Sequence, residues 1–134
     1  MKFDGGCLCG LIRYQADGEP LAQGACHCRD CQYLSGGGPA YTIMMQRSCF
    51  HVRKGEPRTH RSKTAAGIYV REFCAECGTH LLGYNEATPE FVAVRVGTMD
   101  EPGFFKPQGH IWVDSAPKWH PIDKKLPKWP RNPN

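Results

Sequence analysis

Seven of the eight cysteines in this 134-residue sequence fall into three short clusters. Cys7 and Cys9 form C-x-C; Cys26, Cys28 and Cys31 form C-x-C-x-x-C; Cys74 and Cys77 form C-x-x-C, followed by Gly78. Cys49 stands alone. Thiolates at such spacings suit tetrahedral zinc, whose sulfurs lie about 2.3 Å from the metal and therefore close to one another. In C-x-x-C-G a tight turn brings both sulfurs to one point, and glycine relieves the backbone where the chain bends away. In C-x-C on an extended strand, the two-residue period puts both side chains on one face. Each pattern supplies two convergent sulfurs, and neither closes a four-coordinate site alone.

Two pairs together do. Cys7, Cys9, Cys74 and Cys77 are expected to form a closed four-thiolate site, which leaves no open position and is structural in character. Cys26, Cys28 and Cys31 offer three thiolates, the composition of a catalytic zinc that keeps a fourth position for water or substrate. The glycines at 36–38 follow this cluster and leave room above it. Other readings stay open on spacing alone. Cys49, His27 or His51 closes the second site into another structural one, although His27 points away from its neighbours if they lie on a strand. Disulfides or a redox role for the triple cluster are the further alternatives. Cys49 itself reads as an inert, partly buried residue.

The elements that must carry these ligands are short. Fifteen glycines and eleven prolines punctuate the chain. Between them, strand-like runs rich in β-branched and aromatic residues cover 11–15, 40–45, 50–53, 68–73, 91–96 and 111–113. One short helix is expected over 30–34, ended by the glycines at 36–38. The expected fold is all-β, with short antiparallel strands and many turns. Residues 1–116 form the expected domain, and 117–134 an extension with five prolines, four lysines and two tryptophans. Proline spacing makes that extension an extended strap, pinned by Trp119 and Trp129 or partly disordered.

Composition excludes several classes. Hydrophobic residues at 40% and charged residues at 22% are ordinary globular usage. No run approaches the roughly 20 apolar residues of a membrane helix. No apolar run precedes Cys7, so a secretory signal is not expected, and a reducing cytoplasm, where clustered cysteines bind metal, is the expected setting. Seven thiolates (−7) and two divalent cations (+4) bring the formal charge of +4 down to +1, which weakens any case for a nucleic-acid partner.

Three segments carry a resemblance: Gly6-Cys7-Leu8-Cys9-Gly10-Leu11-Ile12-Arg13-Tyr14, Cys26-His27-Cys28-Arg29-Asp30-Cys31-Gln32 and Phe73-Cys74-Ala75-Glu76-Cys77-Gly78-Thr79. With His110-Ile111-Trp112-Val113 and Trp119, they are similar to the glutathione-dependent formaldehyde-activating enzymes, a group that includes centromere protein V. The resemblance spans residues 3–120. It implies an antiparallel β-tent, shared with Rab-exchange-factor-like proteins. It implies two zinc ions, with Cys7, Cys9, Cys74 and Cys77 structural and Cys26, Cys28 and Cys31 catalytic. The reaction it implies is carbon–sulfur lyase chemistry, the addition of glutathione to formaldehyde. Glutathione carries two carboxylates, for which Arg29, Arg47 and Arg71 are candidate partners. The competing reading is a zinc-stabilised binding module for a protein or nucleic acid; C-x-x-C pairs scaffold such modules, and the tail is basic and aromatic. A thiol redox protein is disfavoured, because no βαβ pattern surrounds Cys74 and Cys77.

Overall fold

The computed structural model describes residues 1–133. Ten strands form two sheets. The smaller contains β1 (Lys2–Gly6), β2 (Arg13–Asp17) and β5 (Phe50–Lys54), in the order β1-β2-β5. The larger contains β3 (Ala22–Cys26), β4 (Ala40–Gln46), β6 (Arg58–Thr64), β7 (Gly67–Phe73), β8 (His80–Asn85), β9 (Phe91–Arg95) and β10 (His110–Ile111), in the order β10-β3-β4-β9-β8-β7-β6. Every pairing is antiparallel except β10 with β3, a two-residue parallel contact. One α-helix, α1 (Arg29–Ser35), ends at Gly36, whose left-handed φ of 80° forms the cap. Among the described residues no helix is long and apolar enough to cross a membrane.

Alternation of side chains explains how the sheets meet. Phe3, Tyr14, Ala16 and Phe50 point inward from the smaller sheet, and Ile43, Met45, Leu82, Val92 and Val94 from the larger. Tyr14 stacks on Phe50 at 4.6 Å and meets Phe3 edge-on at 6.3 Å. Such aromatic pairs add about 0.5–1.5 kcal/mol beyond the area they bury. The hydroxyl of buried Tyr14 is satisfied by Thr98 Oγ1 at 2.8 Å. That pairing matters because a buried hydroxyl without a partner costs about 1–3 kcal/mol.

The all-β expectation holds, and the helix lies where the glycine signal placed it. The expected strands at 40–45, 50–53, 68–73 and 91–96 match β4, β5, β7 and β9 within a residue or two. The run at 11–15 starts two residues early, because residues 11 and 12 belong to the turn before β2. The run at 111–113 is displaced: β10 is His110–Ile111, and Trp112 turns out of the strand with a left-handed φ of 58°. Strands β1, β3, β6 and β8 have no counterpart among the expected runs.

Each cysteine cluster sits on a connection or, for Cys26, on the last strand residue before one. Residues 7–12 join β1 to β2, and residues 74–79 join β7 to β8, so one loop from each sheet meets the other at the same end of the molecule. Residues 27–39, which include α1, join β3 to β4.

Candidate metal centres

The first centre is built from two turns of different length that share one feature. In each, a glycine directly after the second cysteine takes a φ of 79°, Gly10 after Cys9 and Gly78 after Cys77. Backbone bonds close both turns: Gly10 N–H donates to Cys7 O at 3.1 Å, and Gly78 N–H to Cys74 O at 2.8 Å. The strand expected to carry Cys7 and Cys9 is therefore a turn, because the Gly10 bond folds the chain back before a second extended residue can form. The sulfurs converge all the same. Cys7 and Cys9 Sγ lie 3.6 Å apart, and Cys9 and Cys74 Sγ 3.9 Å apart. Ligands at 2.3 Å on a tetrahedron lie about 3.8 Å from one another, so this spacing fits a zinc-sized ion. It is far beyond the roughly 2.05 Å of a disulfide, and all eight cysteines are free.

Surrounding donors tune these sulfurs. Ile12 N–H donates to Cys7 Sγ at 3.2 Å, and Thr79 Oγ1 lies 3.2 Å from Cys77 Sγ. The Thr79 hydroxyl and nearby backbone N–H groups lower the Cys77 thiol to about 5. Thr79 also accepts from Leu8 N–H at 3.1 Å and so ties one ligand turn to the other.

The second centre brings Cys26, Cys28 and Cys31 together with their sulfurs within 4.8 Å of one another. Cys26 ends β3, Cys28 caps α1, and Cys31 lies in the first turn of α1. Cys28 Sγ accepts from Cys31 N–H at 3.4 Å. Three thiolates cannot crowd together without a cation. Hydrogen bonds from Cys26 and Cys31 hold Cys28 far below the thiol range. Cys26, donating to Cys28 and Cys31, is pushed far up. Cys31, although it gains from Cys26, is raised to about 11 by Cys28 and burial. A divalent ion relieves that competition, and three soft donors suit zinc.

No fourth His, Cys, Asp or Glu among the described residues joins this group. His27 is 1% exposed, and its Nε2 lies 2.9 Å from His110 Nδ1. Cys49 packs against the core beside Gly18, and His51 stands exposed on β5 in the other sheet.

Basic groups flank the three cysteines. Arg71, 8% exposed, stacks on the Tyr69 ring at 4.7 Å and donates to Ser62 Oγ at 3.0 Å. Tyr69 lies flat because it crosses Gly83, where a Cβ would stand 2.5 Å from its ring. Arg71 favours the Cys28 thiolate, and Arg95 favours that of Cys31. Two grooves, of 450 and 370 Å³, lie against α1 and share Leu34 and His80. Arg71, Lys63 and His60 line the larger, and Arg95 and His120 the smaller. His80 is held below the usual imidazole range by burial and by Arg95 and Arg71, and its Nδ1 is buried without a partner. Of the arginines marked in the sequence, Arg71 lies at the groove, whereas exposed Arg29 stacks on Tyr33. Arg47 is engaged by Glu72 at 2.8 Å, on the face of β7 opposite Arg71. Tyr69 and Arg95 enter the sequence reading only within expected strands and His110 only within the His110-Ile111-Trp112-Val113 motif, while His80 and His120 do not enter it; the position of His80 just past Cys77-Gly78-Thr79 is a local signal for it. The glycines at 36–38 are less open than expected: a Cβ at Gly37 would meet Trp119 at 3.3 Å, and one at Gly38 would meet His120 at 3.9 Å.

Comparison places this arrangement among known proteins. A crystal structure of a Rhodobacter sphaeroides protein, a structural-genomics target, superimposes with a TM-score of 0.58 at 18% identity, covering 94% of this chain and 98% of that one. At that identity the likeness shows the fold alone. No curated protein matches the sequence. The family model described as glutathione-dependent formaldehyde-activating enzyme matches residues 2–115, which takes in all seven clustered cysteines. With that match over most of its length, the chain belongs to the glutathione-dependent formaldehyde-activating enzyme family.

Proposed function

We propose that this chain is a zinc-dependent carbon–sulfur lyase-type enzyme for a small thiol adduct, with glutathione and formaldehyde as the first substrates to test. The observation that carries the reading is the inequality of the two sulfur clusters, four in one and three in the other. In it, Cys7, Cys9, Cys74 and Cys77 hold a structural zinc that joins the two sheets, and Cys26, Cys28 and Cys31 hold a working, more labile one. Residues 1–116 carry both centres, 117–134 extend them, and the setting is cytoplasmic, where a thiol such as glutathione is kept reduced.

The reaction is an addition. The thiol sulfur bonds to the aldehyde carbon, the C=O π bond breaks, and the thiol proton passes to the oxygen, giving an S-hydroxymethyl adduct; the lyase direction is the reverse. Bound zinc supplies Lewis acidity that favours thiolate or polarises the carbonyl. The chain's own residues supply orientation. Arg71, fixed between Ser62 and Tyr69, and Lys63 at the groove wall attract a carboxylate of the thiol. Arg95, in the adjoining groove, adds positive potential beside Cys31. His80, kept neutral between the grooves, is placed to pass the proton to the oxygen.

The test is NMR exchange between labelled formaldehyde and S-hydroxymethylglutathione, with zinc counted per chain. Two zincs and faster exchange are expected, with Cys28→Ser abolishing the acceleration while one zinc remains. Two bound zincs without any acceleration would count against the enzyme, and salt-sensitive binding of nucleic acid by that protein would favour the binding module instead.

A further inference from the structure

The loop that carries Cys26, Cys28 and Cys31 is held from outside by residues 83 positions away. His27 sits between two of the cysteines, and its ring is fully buried. His27 N–H donates to Ile111 O at 3.0 Å, and its Nε2 pairs with His110 Nδ1 at 2.9 Å. Gln32, 5% exposed, uses one amide nitrogen to donate to both His27 O at 2.9 Å and Ser115 O at 2.8 Å. All three ties reach the segment 110–115.

That segment is in turn held by the end of the chain. His110 N–H donates to Pro127 O, and Trp129 N–H returns to His110 O, both at 2.9 Å. Trp112 N–H donates to Arg131 O at 3.1 Å, and its indole N–H to Asn132 Oδ1 at 2.8 Å. The left-handed backbone of Trp112, costly for a tryptophan, persists because these bonds over-determine it. The Trp129 ring covers Gly109, where a Cβ would stand 2.8 Å from it. His120, from the same extension, packs edge-on against His27 at 5.3 Å. The extension beyond residue 115 lies outside the family match, yet it closes around the histidine inside the cysteine loop.

We infer that His110, clamped by the C-terminal extension, is a positioning residue for the three-cysteine centre: it fixes His27 and thereby the directions of Cys26 and Cys28. Two histidine rings that share one proton at 2.9 Å hold a defined angle, which a packing contact alone would not do. Loss of one buried hydrogen bond changes such an equilibrium by about ten-fold. The inference rests on the reading that these three cysteines hold the working metal, and its test separates the two.

Four proteins are compared: the full chain, His110→Leu, His110→Asn (whose amide can stand where Nδ1 stands) and Trp129→Ala. Zinc release to a chelator is resolved by centre, and hydrogen exchange at residues 26–32 is followed in proteins that keep the four-cysteine zinc but have released the other. In His110→Leu and Trp129→Ala, zinc should leave the three-cysteine centre about ten-fold faster, with the four-cysteine centre unchanged. Exchange at 26–32 should rise in parallel, and His110→Asn should restore both. The cobalt-substituted His110→Leu protein should show altered ligand-field bands for the three-sulfur site alone. Equal acceleration at both centres, no change at either, or failure of His110→Asn to rescue would overturn the inference. If the full chain holds no metal at the three cysteines, the functional reading fails, and exchange at 26–32 still decides the brace.

Discussion

Replacing one ligand in each centre should separate a metal that builds the fold from one that works. Cys74 is fully buried within the core, and its sulfur lies 3.9 Å from that of Cys9, 65 residues earlier. A metal joining them closes a 65-residue loop, worth about 4 kcal/mol of chain entropy by the relation for cross-links. Against a total stability of about 5–15 kcal/mol for a domain, that share is large. Cys26 and Cys31 are five residues apart, and the same relation gives about 2 kcal/mol, an upper bound because α1 and the ties to 110–115 already order the loop. Cys28→Ser also keeps a good helix cap, since a serine oxygen can accept from Cys31 N–H. At about 3–5 °C per kcal/mol for a chain of this size, Cys74→Ser should lower Tm by about 12–20 °C or prevent folding. Cys28→Ser should lower it by at most about 6–10 °C while abolishing the proposed activity. The assay is thermal unfolding of both variants with zinc content measured on the same samples. A chelator titration of the unmodified chain adds a second arm, in which the first zinc leaves with the smaller loss of Tm and the second takes the fold with it. Equal losses of Tm, or a greater loss from Cys28→Ser, would refute the division of labour between the centres.

Three further perturbations test how the sheets hold the site. Tyr14→Phe removes the bond to Thr98 Oγ1, whose own proton already goes to Arg95 O at 2.7 Å. It should cost about 1–2 kcal/mol, seen as a lower denaturant midpoint at unchanged m. Gly83→Ala drives a methyl into the Tyr69 ring on which Arg71 stacks. It should destabilise by about 1–3 kcal/mol and raise KM for an anionic thiol more than it lowers kcat. Asp100 accepts from Arg13 Nη1 at 2.9 Å, and this bond holds its carboxyl below the ordinary range. Its folded pKa is depressed, so its contribution is complete above about pH 4 and is lost as the pH falls through the lower folded value. Asp100→Asn should therefore flatten the acid limb of stability against pH, by less than about 1 kcal/mol because both partners are half exposed.

The strands legible in the sequence are those with a dense run of β-branched and aromatic side chains. In β4, β5, β7 and β9, valine, isoleucine, phenylalanine and tyrosine recur at intervals that match the pleat. Of the strands without an expected counterpart, β1, β3 and β6 lack those side chains for identifiable reasons, whereas β8, His-Leu-Leu-Gly-Tyr-Asn, has leucines interrupted by Gly83. β1 ends in Gly5 and Gly6, and a Cβ at Gly5 would collide with Thr98 O and the Tyr14 hydroxyl. β3 contains Gly24, where a Cβ would lie 3.0 Å from Gly109 O across the parallel pair. In both, a glycine that reads as a turn marks a close backbone approach inside a strand. β6 pairs with β7 alone and buries none of its residues, so its composition, Arg-Thr-His-Arg-Ser-Lys-Thr, is that of an edge facing water.

The same distinction governs the site. Each cysteine cluster is legible because ligand geometry is settled within two to five residues, and even the mistaken strand for Cys7 and Cys9 left their convergence intact, since a turn serves as well. A Gly directly after the second cysteine, in both Cys9-Gly10 and Cys77-Gly78, is the local sign that both pairs sit on turns. What orients the ligands is not local. His27 finds its partner at His110, Gln32 finds Ser115, and Arg71 is seated by a tyrosine that can lie flat only because Gly83, on the next strand, has no side chain. None of these partners is marked by spacing, because strand order, not sequence distance, brings them together. A chain that kept all seven cysteines but lost His110, Gln32 or Gly83 would still read as a two-metal protein, and its three-cysteine centre would be the one to fail.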